Sequence, residues 1–568
     1  MRFPWSYSKR VVAGAIFGLY MAHLLYYLNP QIDITAPRLI AVTLIYGVLC
    51  GLIFGSILWW SRSARFRLFG RDEESDGYRP HGFGFVVAAA FISALVYWAH
   101  LAALRIYLPR GAIRILSKAT TVIAVTAALL LILWLFERTA SRRTSRILFT
   151  TGVALIFVSS FFLYQRREGY RTEVRAPVVA TVAVGQQRPT VLVAMRDLPY
   201  DWIITLRGEG SIPFLSEAIE RGFFTRVEPF RTTSPKALWA SLATGKLPNR
   251  HGVTGRFSYQ TLLNRPGEPF LLVPFGVGFK GWGLIPPVER ISALLPSGRS
   301  MPFWRAWERL GFDASVHGWD GVNRDDQGAE EGESGETAGT AGLAESLART
   351  SERLPAEASR EIRAAVAEDV RRIESSLAAG SKSLLAIELH SVARAVRVLE
   401  TERNALPPRH SPEGDAIRAV LSVLDASLAR LAETADTGVL AIVSPTAPHP
   451  PVLPGTIPTL VRAVEELIDP GADDGFLLLL APGAAPRANA PGIEVVDVIP
   501  TLLFAAGLPV GRDMDGRVVT EAFTDPFLRG SPISLIQSYE SERLLVRRPD
   551  PVEPLAPQSP PQVSVPRS

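Results

Sequence analysis

Five long apolar runs crowd into the first third of the chain, and short apolar runs alternate with amphipathic ones in the remainder. The long runs cover approximately residues 11–28, 39–60, 83–104, 115–136 and 147–164. A helix of about 20 apolar residues crosses the hydrocarbon core of a bilayer, so each run is long enough to span a membrane. The first run lacks a small-residue cleavage site, which favours a retained helix over a cleaved signal peptide. The pattern predicts a transmembrane domain of five helices over residues 1–165.

Basic residues are spread unevenly over the segments that connect these runs. With the N-terminus in the cytoplasm, the segments on the cytoplasmic side hold 12 Lys and Arg residues, and those on the opposite side hold nine. Cytoplasmic loops of membrane proteins carry the excess of positive charge. We therefore expect an integral protein of the plasma or inner membrane in which everything after Tyr164 lies outside the cytoplasm.

The remainder of the chain has the pattern of an α/β domain. Short, β-branched apolar runs predict strands at 190–195, 383–389, 438–444 and 475–483, with helical segments between them. One of these segments is "SIPFLSEAIERG", in which Ser211 is the expected N-cap and Gly222 the expected end. The alternation implies a doubly wound, mainly parallel sheet covered by helices on both faces. Ligands of such sheets bind at the carboxyl ends of the strands.

Composition divides the chain further. We expect a linker at 166–187, the α/β domain at 188–546, a flexible acidic insertion at 325–345 and a disordered Pro-rich tail at 547–568.

The net charge of +5 combines a basic excess in the first part of the chain with an acidic excess in the rest. The first 175 residues hold 21 basic and eight acidic side chains, and the remainder holds 39 basic and 47 acidic ones. The basic excess suits anionic lipid headgroups. The acidic remainder has no basic, aromatic-interleaved stripe, which disfavours nucleic-acid binding. The single cysteine, Cys50, excludes a disulfide framework and a Cys-based zinc ribbon.

A Thr/Ser cluster precedes an apparent helix in "TTSPKALWASLATG", where Pro235 occupies the first helical position. A hydroxyl at a helix N-terminus can act as a nucleophile, since the free N–H groups and the helix dipole favour an anion there. Thr233 and Ser234 are the candidates, and Asp197 follows the first predicted strand. Ser234 also fits a plain N-cap. The local pattern leaves both roles open.

Three stretches carry a family resemblance: "VLVAMRD", "PFRTTSPKALWASLATGKLPNRHGVTG" and "DVIPTLLFAAGLPVGRDMDGRVVTEAF". They resemble the motifs of the alkaline phosphatase superfamily, in particular its type I phosphodiesterase/nucleotide pyrophosphatase branch, over about residues 188–525. The resemblance implies an alkaline-phosphatase-like fold with two zinc or similar ions and a Ser or Thr that attacks phosphorus. It implies Asp197 as a metal ligand, Ser234 as nucleophile with Thr233 as the alternative, and His251 in shaping the adjacent loop. In architecture alone, the chain also resembles the lipoteichoic acid synthases and lipid A phosphoethanolamine transferases.

The other ligand motifs of the family are altered or missing. Where the family has "SDHG", this chain has "SPTAPHP", with Pro445 and Thr446 in place of the ligating Asp and His. Proline has no ligating side chain, and a threonine hydroxyl is a poor zinc ligand. Glu388 and His390, in "IELHSVARAV", stand where the family has another Asp and His, and a late family His is absent. A rewired single-metal site would draw on Asp197, on His317 or Asp320, on Glu388 or His390, and on His449.

These losses favour a membrane-anchored pseudoenzyme with no cofactor and a binding or scaffolding role at the outer face of the membrane. The expected partners are the lipid bilayer and either a phosphorylated or glycolipid envelope ligand or a membrane protein. The alternative is a phosphodiesterase or phospho-group hydrolase or transferase that uses zinc or another divalent metal on an envelope substrate. A transporter is disfavoured because no acidic residue lies well inside an apolar run.

Overall fold

The N-terminal third of the chain folds into five long helices. The computed structural model describes residues 5–30, 32–69, 82–168, 180–183, 187–230, 235–253, 257–260, 270–272, 289–292, 300–319, 356–378, 382–399, 411–434, 438–446, 474–540 and 544–547. The first helices are α1 (Trp5–Leu28), α2 (Ala36–Phe69), α3 (Gly82–Ala103), α4 (Arg110–Thr139) and α5 (Arg142–Glu168). All five are long and apolar enough to cross a membrane by length and composition, which confirms the five predicted helices.

Helix α1 lies at the centre of this bundle. Its apolar span is 72% buried, whereas that of α2 is 18% buried. Two glycines allow α1 to approach α2 closely: a Cβ on Gly14 would lie 2.5 Å from the Cys50 carbonyl oxygen, and one on Gly18 would lie 2.5 Å from that of Tyr46. Small residues that let backbones approach are a common basis of helix packing in membranes. The α1–α2 seam therefore depends on the absence of side chains at these positions.

The remaining elements alternate between helices and strands. The helices are α6 (Tyr200–Glu209), α7 (Pro213–Arg221), α8 (Pro235–Thr244), α9 (Pro248–His251), α10 (Phe303–Arg309), α11 (Ala356–Ala378), α12 (Ser391–Val398), α13 (Pro412–Thr434), α14 (Val498–Ala505) and α15 (Asp525–Gly530). The strands are β1 (Ala180–Ala183), β2 (Thr190–Met195), β3 (Phe223–Glu228), β4 (Phe257–Gln260), β5 (Glu289–Ser292), β6 (Ala314–His317), β7 (Leu384–Leu389), β8 (Val439–Ser444), β9 (Gly475–Leu480), β10 (Arg487–Glu494), β11 (Val510–Gly511), β12 (Leu535–Ile536) and β13 (Leu544–Arg547).

Seven of the described strands form a central sheet in the order β10-β3-β9-β8-β2-β7-β6. The neighbours of β2 and β7 all pair in parallel, and β9 runs antiparallel to both β3 and β8. Alternate residues of β2 face opposite sides: Leu192 and Ala194 pack with α8, α10 and α14, while Val193 and Met195 pack with α6, α7 and α11 to α13. Helices thus cover both faces. This confirms the predicted doubly wound, mainly parallel α/β fold.

Helix α7 begins later than its sequence pattern suggested. Ile212, not Ser211, precedes the first helical residue, and Pro213 occupies that first position. The backbone N–H groups of Phe214 and Leu215 donate to the carboxylate of Asp425 on α13, at 2.9 and 2.8 Å. A residue distant in sequence therefore caps the helix, and the Ser211 prediction was wrong.

The segment that was predicted as a linker contains a strand that pairs with the last described strand of the chain. Helix α5 continues to Glu168, and β1 lies within the predicted linker at 166–187, where it pairs in parallel with β13. The predicted insertion at 325–345 lies outside the described residues, as does the predicted tail except for Arg547.

The α/β domain also contacts the bundle directly. Ala237 and Ala240 of α8 form an apolar cluster with Val253 and with Tyr107, which lies in the connection between α3 and α4. Phe270 is fully buried in the core of the bundle, with its ring 6.3 Å from that of Tyr26 on α1. Helix α8, which begins directly after the Thr/Ser cluster, therefore packs against the end of the membrane bundle.

Candidate functional site

The carboxyl ends of β2, β7, β8 and β6 meet at one edge of the sheet. Ala194 of β2 lies opposite Glu388 of β7, and the Arg196 N–H donates to the Leu389 carbonyl at 3.0 Å. On the other side of β2, the Leu198 N–H donates to the hydroxyl of Ser444 at 2.9 Å. The edge predicted to hold the site therefore brings together the ends of the segments that carry Asp197, Glu388 and "SPTA".

Glu388 is engaged by an arginine. Its side chain is 1% exposed, and the Arg196 Nε donates to Glu388 Oε1 at 2.8 Å. The same oxygen accepts a second hydrogen bond from Arg196 Nη2. The guanidinium lies over the ring of Trp239 on α8, 4.9 Å from its centroid, where a cation–π interaction holds it. The negative charge of Glu388 is therefore compensated by a side chain of the same domain.

His390 uses its ring nitrogen in a structural contact. His390 Nε2 lies 2.9 Å from the carbonyl oxygen of Gly318, just past β6. A carbonyl only accepts, so Nε2 carries the proton and donates. The same atom is 3.9 Å from Glu388 Oε2. A protonated Nε2 has no lone pair for a metal ion, so His390 in this arrangement does not ligate through that atom.

The N-terminus of α12, at the same edge, already holds a carboxylate. The backbone N–H groups of His390 and Ser391 donate to Asp369 Oδ2 at 2.9 and 2.7 Å. Burial raises the pKa of Asp369 to about 6, against the lowering effect of these hydrogen bonds and of Arg372. The carboxylate of Asp369 on α11 therefore compensates the positive end of the α12 dipole.

His317 faces away from Glu388. Its neighbours Ala314 and Val316 pack in the cluster that contains Leu384 and Ala386, so the alternation of the strand turns His317 to the opposite side of the sheet. There His317 Nε2 lies 2.9 Å from the Ser315 hydroxyl. The structure brings Asp197, Glu388 and His390 to one edge and does not bring His317 to them.

Asp197 occupies an unusual backbone conformation. Its φ is +63°, the only positive value of a non-glycine residue in the described part of the chain, and its side chain is largely buried. Such a conformation costs free energy and is concentrated at functional sites. Asp197 directly follows Arg196 and so lies next to the Arg196–Glu388 pair.

Four predicted residues, Thr233, Ser234, Asp320 and His449, lie outside the described residues. Their roles as nucleophile or metal ligand stay predictions. Helix α8 begins at Pro235 as predicted, directly after Ser234.

The described residues at this edge do not fit a two-metal centre. Glu388 is paired with Arg196, the Nε2 of His390 donates to a carbonyl, and Ser444 accepts a backbone N–H. Among the residues that the structure describes, no group of three His, Cys, Asp or Glu side chains could hold a metal ion. A closed zinc site needs about four ligands.

A buried aromatic cluster closes the same face of the sheet. The Trp239 ring lies 5.6 Å from that of Trp319, which in turn lies 5.6 Å from Trp304 and 5.4 Å from Phe303. All four rings are at most 4% exposed. Sequence reasoning missed this cluster and the role of Arg196. The signals were "FWRAW" in α10 and an arginine directly after a buried strand.

Ser241 of α8 and His251 of α9 form a second polar pair. Both are fully buried, with Ser241 Oγ 2.9 Å from His251 Nε2. The Val253 N–H donates to His251 Nδ1 at 3.1 Å, so Nε2 carries the proton. Burial, assisted by Lys246, lowers the pKa of His251 to about 3. The imidazole therefore donates towards Ser241 and cannot act as its base, which gives the pair a structural role.

Comparisons with known proteins return structures of related architecture at low similarity. A putative sulfatase from Bacteroides thetaiotaomicron is 12% identical with a TM-score of 0.38, and the match covers 61% of this chain and 75% of that one. Murine ectonucleotide pyrophosphatase/phosphodiesterase 5 is 11% identical with a TM-score of 0.33 and coverages of 59% and 100%. An alkaline phosphatase superfamily protein from Vibrio parahaemolyticus is 12% identical with a TM-score of 0.30 and coverages of 61% and 73%.

No protein-family model and no curated protein matches the chain. The structures returned include a member of the superfamily that the sequence motifs resemble. At these identities and scores the likeness assigns no activity to this chain.

Proposed function

We propose that this protein is a membrane-anchored pseudoenzyme of alkaline-phosphatase-like fold that binds or scaffolds a partner at the outer face of the membrane. The observation that carries the proposal is the pairing of Glu388 with Arg196 at the edge where the resemblance implies metal ligands. A bimetal mechanism needs carboxylates and imidazoles that are free to ligate. Here the central carboxylate is bound to a guanidinium.

The position of the domain supports a role at the membrane. Helix α8 packs on Tyr107 in the connection between α3 and α4, and Phe270 is buried in the bundle. The excess of basic residues in the cytoplasmic segments favours an extracytoplasmic domain. An envelope ligand that carries a phosphate or a sugar, or a membrane protein, fits this location.

The competing function is a metal-dependent phosphodiesterase or phospho-group transferase with Ser234 or Thr233 as nucleophile. Turnover of bis-p-nitrophenyl phosphate by the full-length protein in detergent, with divalent metals added, separates the two. The matched control is the double variant Thr233→Ala/Ser234→Ala. We expect equal, background rates for both proteins. A rate above background that the double variant abolishes would overturn the pseudoenzyme proposal.

A further inference from the structure

Arg196 binds Glu388, which stands where the family resemblance implies a metal-binding residue. It is the first residue after β2, and Glu388 lies in the neighbouring strand β7, one position before its end. Arg196 comes two residues after Ala194, and Glu388 comes two residues after Ala386. Because side chains alternate between the two faces of a sheet, both face the side covered by α8 and α10. Two donors of one guanidinium, Nε and Nη2, meet the single oxygen Oε1.

The guanidinium is held from two sides, by Glu388 and by Trp239. Glu388 binds it from the strand, Trp239 lies beneath it at 4.9 Å, and Trp239 is itself fixed edge-on against Trp319. Arginine is suited to such a position because its planar group stacks on aromatic faces and stays charged at all accessible pH values. A divalent ion at Oε1 would compete with both guanidinium hydrogen bonds and would lie close to another positive charge. The guanidinium therefore disfavours a metal ion at this oxygen.

We propose that Arg196 is the built-in counter-cation of the site: it compensates the charge of Glu388 in place of a metal and keeps metal ions from binding there. The inference deepens the proposed function and rests on it, because both require that no metal ion is bound at the Glu388 site. It identifies Arg196 and Glu388 as the interacting pair and predicts the effect of replacing either one.

The two side chains differ in burial, which sets the order of the expected effects. The Glu388 side chain is 1% exposed and that of Arg196 is 25% exposed. Loss of Arg196 removes two hydrogen bonds and a neighbouring positive charge from a buried carboxylate, whereas loss of the carboxylate leaves a cation that water reaches. Breaking a buried pair from one side is strongly destabilising, while replacing both members by neutral groups of similar size is far less so. Arg196→Met should thus cost more than Glu388→Gln, and the double variant less than the sum of the two.

The experiment is a double-variant cycle on the full-length protein in detergent, read as the midpoint of thermal unfolding. Arg196→Met should lower the midpoint by about 5 °C or more, and adding Glu388→Gln should restore most of the loss. The control is Arg517→Met, which breaks an exposed pair with Glu521 whose side chains are 55% and 42% exposed. Exposed pairs contribute little, so this variant should match the wild type closely.

A second readout distinguishes a counter-cation from a merely structural arginine. Millimolar MnCl₂ should raise the midpoint of Arg196→Met, in which no guanidinium competes for Oε1 of Glu388, and should leave the wild type and the double variant unchanged. A binder of the native state stabilises it by mass action.

The inference is overturned if the effects of Arg196→Met and Glu388→Gln are additive, if Arg196→Met matches Arg517→Met, or if manganese leaves Arg196→Met unchanged. Those results would leave the proposed function standing. A manganese shift in the wild type would contradict both proposals, and turnover without such a shift would contradict the proposed function alone.

Discussion

The side chain of Asn29, at the end of α1, holds the backbone of Leu272 in the α/β domain with both its donor and its acceptor. Asn29 Nδ2 donates to the Leu272 carbonyl at 2.7 Å, and Asn29 Oδ1 accepts from the N–H groups of Leu271 and Leu272 at 2.7 and 3.1 Å. Asn29 is fully buried. Arg167 of α5 donates to the Tyr26, Asn29 and Ile32 carbonyls and so caps the end of α1. The membrane bundle thus provides part of the support for the domain that carries the site.

Asn29→Ala should loosen this attachment. It leaves the N–H groups of Leu271 and Leu272 and the Leu272 carbonyl without this partner, and an unsatisfied buried polar group costs about 1–3 kcal/mol. Amide hydrogen exchange of residues 270–272 should become faster, with a smaller change in the central sheet. Asn249→Ala is the matched control, because Asn249 makes one long bond of 3.4 Å to the Leu108 carbonyl at the same interface. Equal exchange in the two variants would contradict the role given to Asn29.

The seam between α1 and α2 makes a comparison of two glycines informative. A Cβ on Gly18 would lie 2.5 Å from the Tyr46 carbonyl oxygen, whereas one on Gly47 would lie 3.8 Å from its nearest neighbour, the Ala15 carbonyl oxygen. Gly18→Ala should therefore force the helices apart and lower the thermal midpoint of the detergent-solubilised protein, at a cost of about 1–3 kcal/mol. Gly47→Ala should be tolerated. Similar midpoints for the two variants would show that the helices are not packed this closely.

His251 gives the domain a pH-dependent stability. Burial lowers its pKa from 6.5 to about 3 in the folded protein, so between these values the unfolded chain binds the proton and the folded one does not. The free energy of unfolding should accordingly fall as the pH is lowered from 6.5 towards 3. His251→Gln removes this titration. The stability difference between wild type and variant should shrink as the pH falls, and a difference that stays constant from neutral pH to pH 4 would show that His251 is not buried as a neutral ring.

The side of the membrane on which the domain lies can be tested with the single native cysteine removed. In a Cys50→Ala background, Arg221→Cys places a thiol at a side chain of α7 that is 68% exposed. A membrane-impermeant maleimide should label it in intact cells or spheroplasts, because the count of basic residues predicts an extracytoplasmic domain. Cys50→Ala alone is the control for background. Labelling only after the membrane is permeabilised would reverse the orientation.

Sequence patterns predicted the architecture well where local and tertiary preferences agree. The apolar runs of α1 to α5 and the buried strands β2, β7 and β8 have lengths and compositions that leave few alternatives. The start of α7 was wrong because its cap, Asp425, comes from a helix about two hundred residues away, and no local pattern reports such a partner.

The site was less predictable for a physical reason. Motif comparison identifies which ligands are missing, as with Pro445 and Thr446, but it does not show what replaces their charge. Arg196 could be recognised only once β2 and β7 were paired and Trp239 was placed under the guanidinium. Likewise, the sequence makes His317 a candidate ligand, whereas the alternation of side chains along β6 places it on the other face of the sheet.

The metal content of the full-length protein, purified from membranes in detergent without chelators, tests the central claim most directly. The Arg196–Glu388 pair predicts well below one zinc, manganese or other transition-metal ion per chain by elemental mass spectrometry, with no change in Glu388→Gln. One or two ions per chain that withstand dialysis, and that are lost in Glu388→Gln, would contradict the account.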